Sequence, residues 1–180
     1  MDLPRSIALG ALSLLLSPGL APAQCTVLGA PGFTGCAPGG GIAPTLTCFG
    51  DPVLGTTACT TMNSGTCSGA FTIATTGLAP PAVLLIGACP SQPTYLTLGS
   101  PICPPSIVGG CFAFVDLSAY MVALPMENCP ACASGPGVPI PSDPALVGAE
   151  VCLQAFGCTS VSGPCACIAI SNGLSITIMP

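Results

Sequence analysis

Residues 134–154, SGPGVPIPSDPALVGAEVCLQ, decide how the chain folds. A Gly/Pro-rich connector leads into Asp143-Pro144. Asp143 suits the cap of a short helical turn, and Pro144 suits its first position, where no N–H is needed. Ala145, Leu146 and Val147 supply one apolar turn, and Gly148 ends it. The period then changes to two: Val151, Leu153 and Ala155 lie on one face, Glu150, Cys152 and Gln154 on the other. A single helical turn followed by an alternating strand is the pattern of a β protein.

Outward from this stretch the same short strands recur. Thr45 to Phe49 and Thr56 to Met62 read as strands separated by the Gly50-Asp51-Pro52 turn. Ala70 to Thr75 alternates, with Phe71 and Ile73 against Thr72 and Ala74. Val83 to Ile86 is apolar throughout and bounded by Pro80-Pro81 and Gly87, which predicts a central strand buried on both faces. Thr94 to Leu98, Cys111 to Val115 and Ala119 to Leu124 add three more, the last two joined through Asp116-Leu117-Ser118. Residues 25–41 read as turns, residues 99–110 as a loop, and residues 127–141 as the least structured part.

At the end, Cys165 to Ile170 and Leu174 to Ile178 flank Ser171-Asn172-Gly173, and Asn-Gly predicts a tight hairpin. Leu174, Ile176 and Ile178 would face one way, Ser175 and Thr177 the other. This makes about nine or ten short strands and no amphipathic helix. The predicted fold is all-β: a single-domain antiparallel β-sandwich, jelly-roll or Ig-like.

The first residues address the chain. Arg5, an apolar run from Ile7 to Leu16 and an Ala-Pro-Ala ending at Ala23 read as a secretory signal peptide, residues 1–23. The run is too short to span a bilayer, so no transmembrane anchor is expected. The domain is then residues 24–180. Arg5 is the only Lys or Arg, and the chain has no His. After cleavage the charged groups are Asp51, Asp116, Glu127, Asp143 and Glu150. Nothing can replace phosphate counterions, so nucleic acid is excluded as a partner. Each acid must be solvated, bonded to backbone N–H, or bound to a metal.

All fourteen cysteines follow the expected cut: Cys25, Cys36, Cys48, Cys59, Cys67, Cys89, Cys103, Cys111, Cys129, Cys132, Cys152, Cys158, Cys165 and Cys167. An even number in an exported chain predicts up to roughly seven disulfides, with connectivity open. The rival reading is a zinc site with four thiolates, Cys129 and Cys132 of the Cys-Pro-Ala-Cys motif with Cys165 and Cys167. Export weighs against it. A thioredoxin-like role for Cys129 and Cys132 lacks the βαβ context.

Several segments fall in an order that marks a family. They are Gly35 to Gly41 (GCAPGGG), Pro52 to Gly55, Ala82 to Gly87, Gly110-Cys111-Phe112, Ile140 to Gly148 (IPSDPALVG), Gln154, and Ser171 to Leu174. In these the chain resembles a secreted β-rich domain common in planctomycete bacteria, found alone or at the C-terminus of larger exported proteins. The resemblance covers nearly all of residues 24–180. It implies an extracellular or envelope-associated β module and no catalytic residues. The chain departs from the family in its many additional cysteines, and the resemblance implies that Cys36 pairs with Cys111.

Chemistry is scarce. Without His or Lys the usual activation of Ser and Cys nucleophiles is missing. Asp116 with Glu127, or Asp143 with Glu150, could serve a glycosidase, but turn and cap carboxylates explain them better. Asp51, Asp116 and Asp143 are calcium candidates of the right ligand type, though no calcium-loop motif surrounds them. Gly39 to Gly41 lacks the P-loop Lys. Tyr95 and Tyr120 are expected inside the sandwich rather than as a sugar platform. The adjacent cysteine doublets of hydrophobins are absent.

The expectation is a non-catalytic extracellular structural or interaction module, at the cell surface or in the matrix. It needs no cofactor and finds its partners among envelope or matrix components. The alternative is a lectin-like or calcium-assisted ligand-binding module.

Overall fold

The computed structural model describes residues 25–28, 35–37, 43–62, 71–96, 111–126, 137–158 and 168–180. The expected signal segment, the Gly39 to Gly41 loop, Glu127, Cys67, Cys103, Cys129, Cys132, Cys165 and Cys167 lie outside the described residues.

Strands form where apolar and polar residues alternate. In order they are β1 (Cys25–Leu28), β2 (Thr45–Gly50), β3 (Thr57–Met62), β4 (Phe71–Thr76), β5 (Ala79–Gly87), β6 (Thr94–Leu96), β7 (Cys111–Ala113), β8 (Met121–Met126), β9 (Gly137–Pro139), β10 (Glu150–Cys158) and β11 (Ile168–Thr177). A five-stranded sheet runs β1-β11-β10-β5-β8 and a four-stranded sheet runs β2-β4-β3-β9. Strands β6 and β7 pair as a separate ribbon.

The two larger sheets bury a shared core. Leu46, Ala58, Met62, Phe71 and Ile73 of the smaller sheet meet Leu84, Leu153, Ala155, Leu174 and Ile176 of the larger one. The expected inward faces of β10 and β11 are therefore the observed ones. A second buried cluster, Cys36, Cys111 and Ile170 with Leu96 and Phe156 against it, lies on the opposite face of the larger sheet. The β6–β7 ribbon covers that face, so β10 and β11 are buried on both sides. The sandwich carries an outer third layer.

The Asn-Gly hairpin and the burial of β5 on both faces are corrected. The Asn-Gly hairpin does not form: Ser171-Asn172-Gly173 lies inside the continuous strand β11. Gln154 pairs with Gly173 and Phe156 with Ile170, so two steps on β10 match three on β11, which is a β-bulge. The extra residue resets the alternation and lets Ala169 and Leu174, five apart, both reach the inner core. Gly173 is required by close approach, since a Cβ there would overlap the Phe114 ring.

The ladders among the described residues are antiparallel as expected, save the parallel pairing of β3 with β4. That register aligns Ala58, Thr60 and Met62 with Phe71, Ile73 and Thr75 on the inner face. Strand β5 is not buried on both faces. Val83 is 37 % exposed because the ribbon lies over β10 and β11 and leaves the outer face of β5 open. Strands β1 and β9 fall in stretches expected to be irregular, where Gly and Pro mask the pattern.

The layers are joined by two side-chain amides. Asn172 on β11 accepts from the Leu46 N–H (2.7 Å) and donates to the Leu46 carbonyl (3.0 Å), acting as a strand along the edge of β2. Gln154 on β10 accepts from the Phe114 N–H (2.9 Å) and donates to the Phe112 carbonyl (2.8 Å), doing the same for the segment at β7. Gln154 also donates to the Ser171 carbonyl (2.9 Å). The bulge leaves the Ala155 N–H without a ladder partner, and the Ser171 hydroxyl accepts it at 2.9 Å. All three side chains are buried.

Disulfides fasten the same layers. Cys25–Cys48 ties β1 to β2 across the two sheets, and Cys36–Cys111 ties β7 to the strand-like residue beside Ile170. Cys89–Cys152 holds the segment after β5 onto β10. Cys59 and Cys158 are disulfide-bonded as well. The closed loops span 23, 75 and 63 residues. Each removes about 3–5 kcal/mol of unfolded-state entropy taken alone, and less together because each loop overlaps the next.

Asn172→Ala will destabilise the fold by about 2–4 kcal/mol, since it strands the buried N–H and carbonyl of Leu46. Guanidinium unfolding with an unchanged slope would read this directly. The Thr75 hydroxyl is buried with no hydrogen-bond partner. Thr75→Val should therefore stabilise by about 1 kcal/mol in the same assay.

Candidate functional site

The deciding stretch closes one end of the sandwich. Strand β9 pairs with β3, Val138 opposite Ala58, and Ile140 continues the contact: its N–H donates to the Thr56 carbonyl (2.9 Å) and its carbonyl accepts from the Gly55 N–H (3.0 Å). Asp143 caps the turn as its sequence predicts, accepting the Ala145 N–H at 2.9 Å ahead of a 3₁₀ turn over Pro144–Leu146. Gly148 follows with φ +81°, a conformation that favours glycine. Its N–H donates to the Ile178 carbonyl (2.9 Å), and the Ile178 N–H donates to the Ala149 carbonyl (3.0 Å). The stretch is thus sewn to the β3 side at one end and to the chain end after β11 at the other.

Beneath it lies a cavity of about 160 Å³ between the sheets. Ala58, Phe71, Ile73, Leu153, Ile176 and Ile178 form a buried floor. Val138, Pro139, Pro141, Leu146, Ala149 and Val151 form a half-buried or exposed rim. Every lining residue is apolar. Small residues at 58 and 149 and a three-residue β9 leave the space unfilled. A closed void of this size would cost on the order of 4 kcal/mol of lost packing, and the open mouth here lowers that cost.

A second recess, about 450 Å³, lies on the outer face between Leu28, Cys89, Pro90, Pro93, Phe114, Glu150 and Cys152. Its one carboxylate, Glu150, accepts from the Ser175 hydroxyl. Among the described residues that line it, Glu150 is the one titratable group, beside a disulfide and two prolines.

Of the other described acids, Asp116 and Asp143 serve their own turns. Asp116 accepts from the Ser118 hydroxyl (2.6 Å) and from the Ser118 N–H (2.9 Å). Asp51 is exposed in the turn after β2, and Asp143 is the exposed cap described above. Among the described residues no three His, Cys, Asp or Glu side chains gather where a metal could bind, so Asp51, Asp116 and Asp143 are not brought together.

The two tyrosines are corrected: neither is packed inside. Tyr95 is 63 % exposed on the outer ribbon, held edge-to-face on Phe112 at 5.6 Å between ring centres. Tyr120 is 88 % exposed just before β8. Both sit outside the sandwich because β6 lies in the outer layer and residue 120 in the link between the Asp116 turn and β8. Met121 and Val122 beside it are also more than one-third exposed. Strand β8 ends the larger sheet, and among the described residues no strand pairs with its far edge. No helix among the described residues is long and apolar enough to cross a membrane.

Hydrogen bonds from Ser118, first the hydroxyl and then the N–H, hold the Asp116 carboxyl below the usual Asp range. A depressed folded value means a contribution to stability present above the unfolded value and lost as pH falls through the folded one. Carbon-detected NMR titration should find Asp116 below the ordinary value, and Ser118→Ala should move it back up.

Comparison of the chain with protein-family models, with curated proteins and with solved structures finds no match.

Proposed function

We propose that the chain is a secreted, non-catalytic interaction module that binds envelope or matrix components through the open edge of its larger sheet. The observation that carries this reading is β8: an edge strand whose exposed Met121 and Val122 continue from the fully outward Tyr120. Among the described residues no strand meets the backbone N–H and carbonyl groups on its far side, and such an edge flanked by apolar side chains suits the addition of an extended partner strand. Natural edges are blunted by charged side chains, especially Lys, or by Pro; residues 24–180 contain no Lys, and the one Pro of β8, Pro125, stands near its end and leaves Met121 to Leu124 open. Bridged cysteines in three layers support an oxidising location outside the cytoplasm. The resemblance to a secreted planctomycete domain agrees with that reading.

A lectin-like reading is favoured by one observation, the exposed Tyr95 ring braced on Phe112, which could stack on a sugar. It is the weaker of the two, since the described carboxylates that would assist it are engaged by their own turns or stand alone.

Fractionation of the native host into medium and envelope separates these readings. The interaction module predicts retention on the envelope that resists EDTA and is lost in a Val122→Lys variant, whose new charge opposes strand addition. Release of the wild-type protein by EDTA would sink this reading and favour calcium-assisted binding. Release by Tyr95→Ala, with Val122→Lys still retained, would favour the sugar platform.

A further inference from the structure

We infer that the cavity between the sheets is a binding site for one small, uncharged, apolar molecule of about the size of a benzene ring, independent of the proposed edge interaction. Its volume of about 160 Å³ equals what such a ring needs. The chemistry of the wall then selects the occupant. Water in a protein interior needs two or more polar partners, and the lining offers only hydrocarbon side chains. An ion is excluded more strongly, because no charged group lines the space to offset its desolvation.

The architecture keeps the space from collapsing. Ala58 is fixed in β3 between two ladders, and Leu153 in β10 between two more. On the other side, the Gly148–Ile178 and Ile178–Ala149 hydrogen bonds fix the rim. Both walls are therefore held by backbone bonds that do not depend on what fills the space between them. The exposed Pro139 and Pro141 mark the mouth, where neither residue has an N–H to satisfy.

The test uses the full oxidised chain, with benzene as probe and phenol as its polar counterpart. Near saturation benzene should raise the unfolding temperature by about 3–6 °C. Phenol should bind at least roughly tenfold more weakly, since its hydroxyl would find no partner in the wall. Nuclear Overhauser contacts from benzene should reach the Leu153 and Ile176 methyl groups. Ala149→Leu, which fills the rim, should raise the unfolding temperature by itself and abolish the benzene shift. Should that variant fail to fold, Ala58→Val narrows the floor and should reduce the shift.

Absence of a benzene shift would overturn the proposal. So would a shift that survives both filling variants, or one that phenol reproduces. None of these outcomes bears on envelope retention, so the two readings stand or fall separately.

Discussion

The fold depends on a constraint that charge sets. Residues 24–180 hold no Lys, Arg or His, so nothing buried can be joined by an ion pair. The joints between layers are instead made by neutral amides. A carboxamide presents one acceptor and two donors at nearly the spacing of a peptide group, so it can bond both an N–H and a carbonyl of a passing strand. Asn172 does this for Leu46 in the inner sheet, and Gln154 for Phe112 and Phe114 in the outer layer. The two lie side by side on neighbouring strands, Gln154 paired opposite Gly173. One point in the central sheet thus fixes the sheet on either side of it.

The bulge completes the arrangement. Ordinary alternation places Asn172 and Leu174 on one face, the inner one, where Asn172 reaches the edge of β2. The added residue resets that alternation, so that Ala169 also enters the core while Ile170 faces the outer cluster. The same addition leaves the Ala155 N–H orphaned, and the neighbouring Ser171 hydroxyl takes it. The three consecutive residues Ser, Asn and Gly each have a separate duty: to satisfy the bulge, to join the sheets, and to admit the Phe114 ring.

This is also where the sequence misleads. Asn-Gly reads as a hairpin because both residues tolerate left-handed backbone, yet Gly173 is not among the positive-φ glycines here. Local pattern cannot tell a glycine kept for conformation from one kept for space, since the Phe114 ring comes from a distant part of the chain. Period-two alternation carried β4, β10 and the inner face of β11 correctly, and cap chemistry placed the Asp143 turn. Strand β9 stayed hidden because Gly137 and Pro139 carry no strand signature. The cavity stayed hidden because it is an absence between residues each of which looks like ordinary core. The open face of β5 and the exposure of Tyr95 and Tyr120 follow from how far the outer ribbon extends, which is a tertiary fact.

The distribution of staples explains how such a core tolerates a void. Packing defects destabilise in proportion to volume, and a domain held by core packing alone would have little to spare. Here the Cys25–Cys48, Cys36–Cys111 and Cys89–Cys152 bridges act mainly on the unfolded ensemble, and none of their cysteines lines the cavity. Stability supplied by cross-links and amide joints does not require the space between the sheets to be filled. Since neither an amide nor a disulfide titrates, those joints are also insensitive to the pH of the medium. A domain with no Lys, Arg or His in residues 24–180 has in this way separated what holds its layers together from what its interior and its edge are free to bind.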